Sequence, residues 1–317
     1  MKARTGSRPA RQSRRTAERV GFIGAGRVGS AMAWHCRRLG FPIAGITDKD
    51  PKQAWVAYGL LKLPHERLKA SELVRGCDVL FLTVPDRHVE PEFRAIRRWL
   101  RPGAIVAHCS GVLGTGQFKG AAERGIETLA IHPINSFSSH AQAIASLPGT
   151  FFALEGSRAG MRFGRKLARL LGGGCAEVKG EDRPLYHAMC VFTSNFQNGL
   201  LDSAELLAGR LGITRRRAAR MLAPLMKTVS GNLVKYGPVA SLTGPVRRGD
   251  ETTVARHLVA LGRRAPELVP LYRELSLRLV DIARRQGVEP AGLRRVKRVL
   301  APPRDGRKRK TRGRGRQ

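Results

Sequence analysis

Carboxylates are scarce in this chain: 24 Asp and Glu stand against 58 Lys and Arg, giving a formal net charge of +34 over 317 residues. Aromatic residues are also few, at 6%. Neither shortage prevents folding. The apolar fraction of 42% suffices for real cores, and the length accommodates two domains of ordinary size. No apolar run approaches the ~18–20 residues that a membrane span needs, so no membrane contact through a spanning helix is expected. The N-terminal segment is basic but lacks an apolar stretch, which argues against a secretory signal. Its Arg-rich, acid-poor composition has the flavour of an organellar transit peptide, yet no apolar face accompanies it. Cys36, Cys77, Cys109, Cys175 and Cys190 are odd in number, scattered, and contain no Cys-x-x-Cys pair. That pattern speaks against a disulfide frame and a structural zinc, and no metal site is expected. A reduced, cytoplasmic protein with small buried thiols is the reading.

About half of the excess charge lies at the two ends, roughly +6 over the first 19 residues and roughly +11 from Arg294 onward. Residues 1–18 and 301–317 are expected to be basic, disordered tails, since the run from Arg307 to Arg316 cannot bury itself. Such tails attract polyanions by counterion release without reading sequence. With no interleaved aromatics and no DNA-binding motif, non-specific contact with nucleic acid or an anionic surface is a side property.

The most telling segment is a glycine ladder. Val20-Gly21-Phe22-Ile23 reads as a short buried strand, and Gly24-Ala25-Gly26-Arg27-Val28-Gly29 leads into a helix beginning near Ser30. In a dinucleotide-binding turn, Gly24 permits the tight bend, Gly26 lets backbone approach a pyrophosphate, and Gly29 lets helix and strand pack closely. The N–H groups of the helix start, from Arg27 and Val28 on, would face the phosphates. A second strand, Pro42 to Thr47, ends at Asp48, about 20 residues downstream, where a ribose-binding acid belongs. Asp48 favours NAD, by accepting from a ribose 2′-OH and repelling a 2′-phosphate. Lys49 and Lys52 beside it favour NADP, so the cofactor is NADP or NAD.

Strands and helices then alternate. Val79–Val84 is a continuous apolar run, as in a strand buried on both faces. Helices are expected near Ser30–Leu39, Gln53–Tyr58 and Glu90–Leu100, with Ser71 capping a short one. Further strands are expected at Ala104–His108, Gly125–Ala130 and Thr150–Leu154, and one more helix and strand over 156–181. The fold class is therefore α/β, a doubly wound parallel sheet over 19–180, followed by an all-α domain over 181–300. The helical half is expected to run from Pro184 to Gly209 as one long helix, then through Thr214–Tyr236, Asp250–Gly262, Pro266–Gln286 and Ala291–Leu300.

In an open parallel sheet the ligand lies outside the carboxyl ends of the strands. Val84-Pro85-Asp86, His108-Cys109-Ser110-Gly111 and the loop opened by His132-Pro133 fall there. On the long helix, Arg183, His187, Ser194 and Asn198 lie within about 20–40° of one face, with Asn195 beside them. A polar line on an apolar helix binds something or sits in a satisfied network. The loop Leu242–Asp250 is either a connector with a good N-cap or a rigid loop presenting Thr243 or Arg248 to an anion.

Taken together, the Rossmann half, Tyr186-His187, Ser194-Asn195, Pro224-Leu225, Asn232, the loop Leu242–Asp250 and His257-Leu258 resemble one family. It comprises the Rossmann-like proteins with a helical C-terminal domain of unknown function 2520, known as NADP oxidoreductases of the deazaflavin-dependent type. The resemblance runs from about Val20 to Arg285. It extends to the superfamily of pyrroline-5-carboxylate reductase, ketopantoate reductase and 6-phosphogluconate-dehydrogenase-like enzymes, whose active site lies between a Rossmann domain and a helical, often dimerising domain. The resemblance implies Gly24, Gly26 and Gly29 at the phosphates, Val84 and Pro85 on the nicotinamide side, and Ser110 and His132 in the later loops. Where relatives use a helix Lys as acid, the nearest residue here is Arg183, which holds a carboxylate but does not give up its proton.

The expected activity is an NAD(P)-dependent oxidoreductase passing a hydride between nicotinamide and a small C=O or C=N substrate. His187 is the expected proton donor, Arg183 and Asn195 orient the substrate, and Ser194, Asn198, Thr243 and Arg248 contact it. A homodimer through the helical domain is expected. Two other readings stay open: an NAD(P)-binding sensor or scaffold without turnover, and a basic-tailed nucleic-acid-associated protein.

Overall fold

The computed structural model describes residues 18–64 and 69–302. The expected basic tails lie outside these residues, but for Glu18, Ala301 and Pro302. The chain divides into two compact units, one ending at Phe196 and one beginning at Gln197.

The first unit is a seven-stranded sheet built from β1 (Val20–Ile23), β2 (Ile43–Thr47), β3 (Val79–Leu82), β4 (Ile105–His108), β5 (Glu127–Pro133), β6 (Phe152–Gly156) and β7 (Cys175–Glu177). Its order is β2-β1-β3-β4-β5-β6-β7. All neighbours pair in parallel except β5 and β6, which run antiparallel. The expected doubly wound parallel sheet is thus present and mostly parallel, with one antiparallel pair. Only about 18 residues separate the two strands, and the helix between them is short.

Side chains of the central strands alternate between two cores. Phe22, Phe81 and Ala107 pack into one with Met32, Leu61 and Phe163. Leu80, Leu82 and Val106 pack into the other with Leu73, Phe93 and Ile96. Helices therefore cover both faces: α1 (Arg27–Arg38), α2 (Pro51–Leu61), α5 (His140–Ser146) and α6 (Arg158–Leu170) on one, α3 (Ala70–Arg75) and α4 (Asp86–Ile96) on the other. Stacked Phe22 and Phe81 rings, 5.1 Å apart, join β1 to β3 at the centre. Ser71 lies inside α3 rather than capping it; Glu72 reaches back to the Lys69 N–H at 3.3 Å.

The long helix expected from Pro184 to Gly209 is two helices, α7 (Arg183–Thr193) and α8 (Asn195–Arg210). Ser194 leaves helical geometry at φ −129° and ψ −75°. Its hydroxyl lies 2.7 Å from the Cys190 carbonyl, the local bond by which serine competes with a helix backbone. The second unit continues through α9 (Arg215–Ser241), α10 (Glu251–Arg264), α11 (Val269–Arg285) and α12 (Pro290–Leu300). Thr214 and Asp250 cap α9 and α10 as expected. Gly237, at φ 74°, interrupts α9 just after Tyr236. A small core forms from Val246, Val254, Val280, Leu293 and Val296. Of α8 and α9, only Ala218 is buried.

Candidate functional site

The order of the sheet reverses direction at β1, and the glycine turn sits at that switch point, where open α/β sheets bind ligands. The three glycines differ in what surrounds them. Gly24 adopts φ 106°, and a Cβ there would lie 2.4 Å from the Thr83 carbonyl oxygen. A Cβ on Gly29 would lie 2.1 Å from the Gly24 carbonyl oxygen, so α1 and the turn pack backbone to backbone. A Cβ on Gly26 would meet nothing within 4 Å. Two glycines are thus required by the protein itself, and the third keeps open space clear. Helix α1 begins beside that space with no side-chain cap and no acidic residue in its first turn. Its leading N–H groups and positive dipole end are left for an external anion.

The crevice has a volume of about 770 Å3. It is lined by Gly24, Gly26, Arg27, Val28, Asp48, Val84 and Pro85, together with Lys49, Thr83 and Phe137. Arg27 Nη1 donates to the carbonyls of Phe137 at 2.6 Å and Ser138 at 3.3 Å. Asp48 does more than face the crevice. Its Oδ2 accepts from the Ala25 N–H at 2.6 Å and its Oδ1 from the Asp50 N–H at 2.9 Å, so it braces the glycine turn.

Ser110 and His132 do not line this crevice. They belong to a cluster around Arg183, at the carboxyl ends of β4 and β5. Arg183 is fully buried. Its Nε donates to Glu155 at 3.0 Å, Nη1 to the Ser110 carbonyl at 3.1 Å, and Nη2 to the carbonyls of Ala130 at 3.2 Å and Ala153 at 3.4 Å. The carboxylate Arg183 holds in this structure is the chain's own, Glu155. Burial opposes its charge and Glu155 restores it. Ser110 is likewise committed, its hydroxyl accepting from Val112 N at 3.3 Å and Leu113 N at 3.1 Å.

His108 is buried with its Nε2 3.1 Å from the Gly114 carbonyl and its Nδ1 accepting from Ser110 N at 3.3 Å. Burial pushes it down to about 4. His132 Nδ1 lies 2.6 Å from the Tyr186 hydroxyl. Burial, with His187 and Arg183 adding to it, pushes His132 down to about 4 as well. The His187 ring stands 6.1 Å from that of His132, nearly perpendicular. Both rings crowd Gly111, where a Cβ would lie 2.6 Å from His187 Cδ2 and 3.0 Å from His132 Nε2. His187 makes no hydrogen bond among the described residues, so its imidazole is available.

The break at Ser194 divides the expected polar stripe. Arg183 and His187 share α7, Ser194 and Asn195 bond each other at 2.9 Å at the break, and Asn198 lies exposed on α8. Thr243 and Arg248 are exposed in the helical unit. In that loop Val246 is a core residue, and Asp250 accepts from Thr253 N at 2.9 Å. The connector reading of Leu242–Asp250 is therefore satisfied. Sequence reasoning missed Thr83, Glu155 and the pairing of Tyr186 with His132, and named Gly111 only as part of the turn after His108. Only Tyr186 carried a signal, as the neighbour of His187. Among the described residues no cluster of metal-binding side chains occurs and no helix is long and apolar enough to cross a membrane. Burial pushes the Cys36, Cys77 and Cys109 thiols up to about 12, which makes them inert.

A Rossmann-like domain model matches residues 3–133, and the domain of unknown function DUF2520 matches residues 150–279. No curated protein matches the sequence. Among solved structures the chain is similar to BF3122 from Bacteroides fragilis, at 20% identity and a TM-score of 0.69, over 84% of this chain and 99% of that one. Protein TM1727 from Thermotoga maritima gives 24% and 0.66 over the same shares. Plasmodium falciparum pyrroline carboxylate reductase with NADP bound gives 14% and 0.53, over 90% of this chain and 99% of that one. These structures share the fold, and with the two domain matches the chain is a Rossmann-like protein carrying a C-terminal domain of unknown function DUF2520.

Proposed function

We propose that this protein is an NAD(P)-dependent oxidoreductase acting on a small C=O or C=N substrate. The observation that carries the reading is the open space over Gly26 beside an uncapped helix start. A folded protein has no need of a glycine there, whereas a pyrophosphate does. The residues present fit a dinucleotide: N–H groups of the first turn of α1 for the diphosphate, Asp48 and Lys49 at the ribose end, Val84 and Pro85 farther along the crevice. NADP in the Plasmodium falciparum structure agrees with this fit. When bound, the reduced cofactor supplies a hydride.

The chain's own residues must orient the substrate and deliver a proton. Arg183 fixes α7 on the sheet edge by tying it to β5, β6 and the loop after β4. That anchorage carries His187, one turn on, to its place over Gly111. His187 is the proton donor, because its imidazole is the one in the cluster with no hydrogen-bond partner among the described residues. Fluorescence titration with NADPH and NADH tests the reading. Saturable binding of either is expected, and the tighter one decides between Asp48 and the lysines. His187→Gln should retain cofactor binding and lose turnover by about 100-fold; unchanged turnover would remove His187 from the mechanism.

The helical unit assembles with a second copy. Met221, Leu225, Val229, Leu233 and Tyr236 of α9 are each 41–60% exposed and recur at helical spacing. An apolar stripe of about 22 Å is too long to leave in water.

A further inference from the structure

We infer that Tyr186, His132 and His187 form a subsite for a carbonyl group, an aldehyde or ketone rather than an imine, with His132 Nε2–H holding the oxygen as it becomes an alkoxide. The inference rests on the oxidoreductase reading and narrows its substrate class.

One hydrogen bond fixes the tautomer of His132. Tyr186 and His132 approach to 2.6 Å through Oη and Nδ1. Burial pushes the Tyr186 phenol up, so it keeps its proton. The phenol has two neighbours able to receive that proton, the imidazole nitrogen and the Cys190 sulfur. Imidazole nitrogen is much the better acceptor. Tyr186 therefore donates to Nδ1, and the neutral ring carries its own proton on Nε2. His108 shows the same tautomer, fixed from the other side, with Nε2–H on the Gly114 carbonyl and Nδ1 accepting from Ser110 N–H.

His132 Nε2 has no hydrogen-bond partner among the described residues, and it faces the bare α-carbon of Gly111. The His187 ring crowds the same position, its Cδ2 2.6 Å from where a Cβ would stand. Two imidazoles thus converge where a side chain would have stood. One is held neutral and donates only a hydrogen bond; the other is free to deliver a proton.

Electrostatics choose between carbonyl and imine. The cluster holds the Arg183 guanidinium, and its carboxylate Glu155 is already engaged by that guanidinium. A protonated imine is a cation before hydride arrives; at His132 the acting neighbours His187, Arg183 and His108 all oppose positive charge, and the carboxylate Asp86 acts on His108 instead. A carbonyl oxygen gains negative charge as hydride arrives and meets a preorganised donor. Hydride bonds to the carbonyl carbon, the C=O π pair moves onto oxygen beside His132 Nε2–H, and an N–H bond of His187 breaks, its electron pair staying on nitrogen, as the proton forms the O–H bond. The carbonyl is reduced and the dinucleotide oxidised. Tyr186 is a positioning residue acting through His132.

Two measurements on the full chain test this. Long-range 1H–15N spectra of histidine-labelled protein should show His132 protonated at Nε2, and Tyr186→Phe should mix its tautomers. A wild-type His132 protonated at Nδ1 overturns the inference without any assay of activity. In turnover with NADPH, pyruvate and benzaldehyde are compared with 1-pyrroline. A kcat/KM at least about tenfold higher for a carbonyl is expected, with Tyr186→Phe lowering kcat about tenfold, the worth of one hydrogen bond. Reduction of 1-pyrroline alone overturns the carbonyl assignment and leaves the oxidoreductase reading standing. Absence of NADPH and NADH binding overturns both.

Discussion

At the residue scale, glycines and buried charges give the sharpest tests. Gly26 and Gly29 are three positions apart in one motif and should respond oppositely to alanine. Gly26→Ala meets no neighbour and sits at φ −66°, which alanine accepts. It should leave stability within about 0.5 kcal/mol and weaken NADPH binding strongly. Gly29→Ala drives a methyl against the Gly24 carbonyl and should lower stability itself; thermal melts beside titrations separate the two. Glu155→Gln leaves the Arg183 charge buried without its counter-ion and should destabilise by about 3–5 kcal/mol in urea unfolding. His108 and His132 make stability pH-dependent. Unfolded histidines take up protons near pH 6.5, whereas these wait until about 4. The unfolded state binds more protons in that window, so stability falls as pH drops from 6.5 to 4. The loss is of order 2–3 kcal/mol for each histidine. Urea titrations at pH 7 and pH 5 should show the drop, smaller in His132→Gln.

Among the elements, α7 and α9 decide most. A helical period continues through Ser194 in the sequence, and nothing in the spacing announces the break. His187 lies before the break, on α7, and Asn198 after it, on α8. Helix α9 shows the reverse case, in which periodicity is informative and burial is missing. Its stripe would be an ordinary core face if anything in the helical unit covered it. Replacing Leu225 and Leu233 by Glu should convert a dimer to monomers in sedimentation velocity and leave the helical content unchanged. A wild-type protein that sediments as a monomer at micromolar concentration would refute the assembly.

For the whole molecule, charge is the remaining large fact. The net charge of +34 is not absorbed by the crevice or by the ion pairs of the described residues. Polyanion contact through residues 1–17 and 303–317 should appear as a steep fall in affinity for duplex DNA with rising salt. Deleting those segments should flatten the slope. NADPH binding should persist in the deleted protein, because the crevice lies within residues 23–137.

The local signals in the chain were enough for the Rossmann turn, the buried central strands, the caps at Thr214 and Asp250 and the α/β-then-α order, because turns, caps and apolar periods are short-range properties. Seven of the predicted cofactor residues line one crevice for the same reason: they sit at strand ends that topology alone brings to one edge. The imidazole cluster was out of reach. His132 and Glu155 lie on separate strands, Gly111 in a loop, and Arg183 and Tyr186 on one helix, and their roles arise from who neutralises whom once water is gone. A buried guanidinium takes its partner from whichever carboxylate and carbonyls the fold presents, and only the folded chain makes that choice.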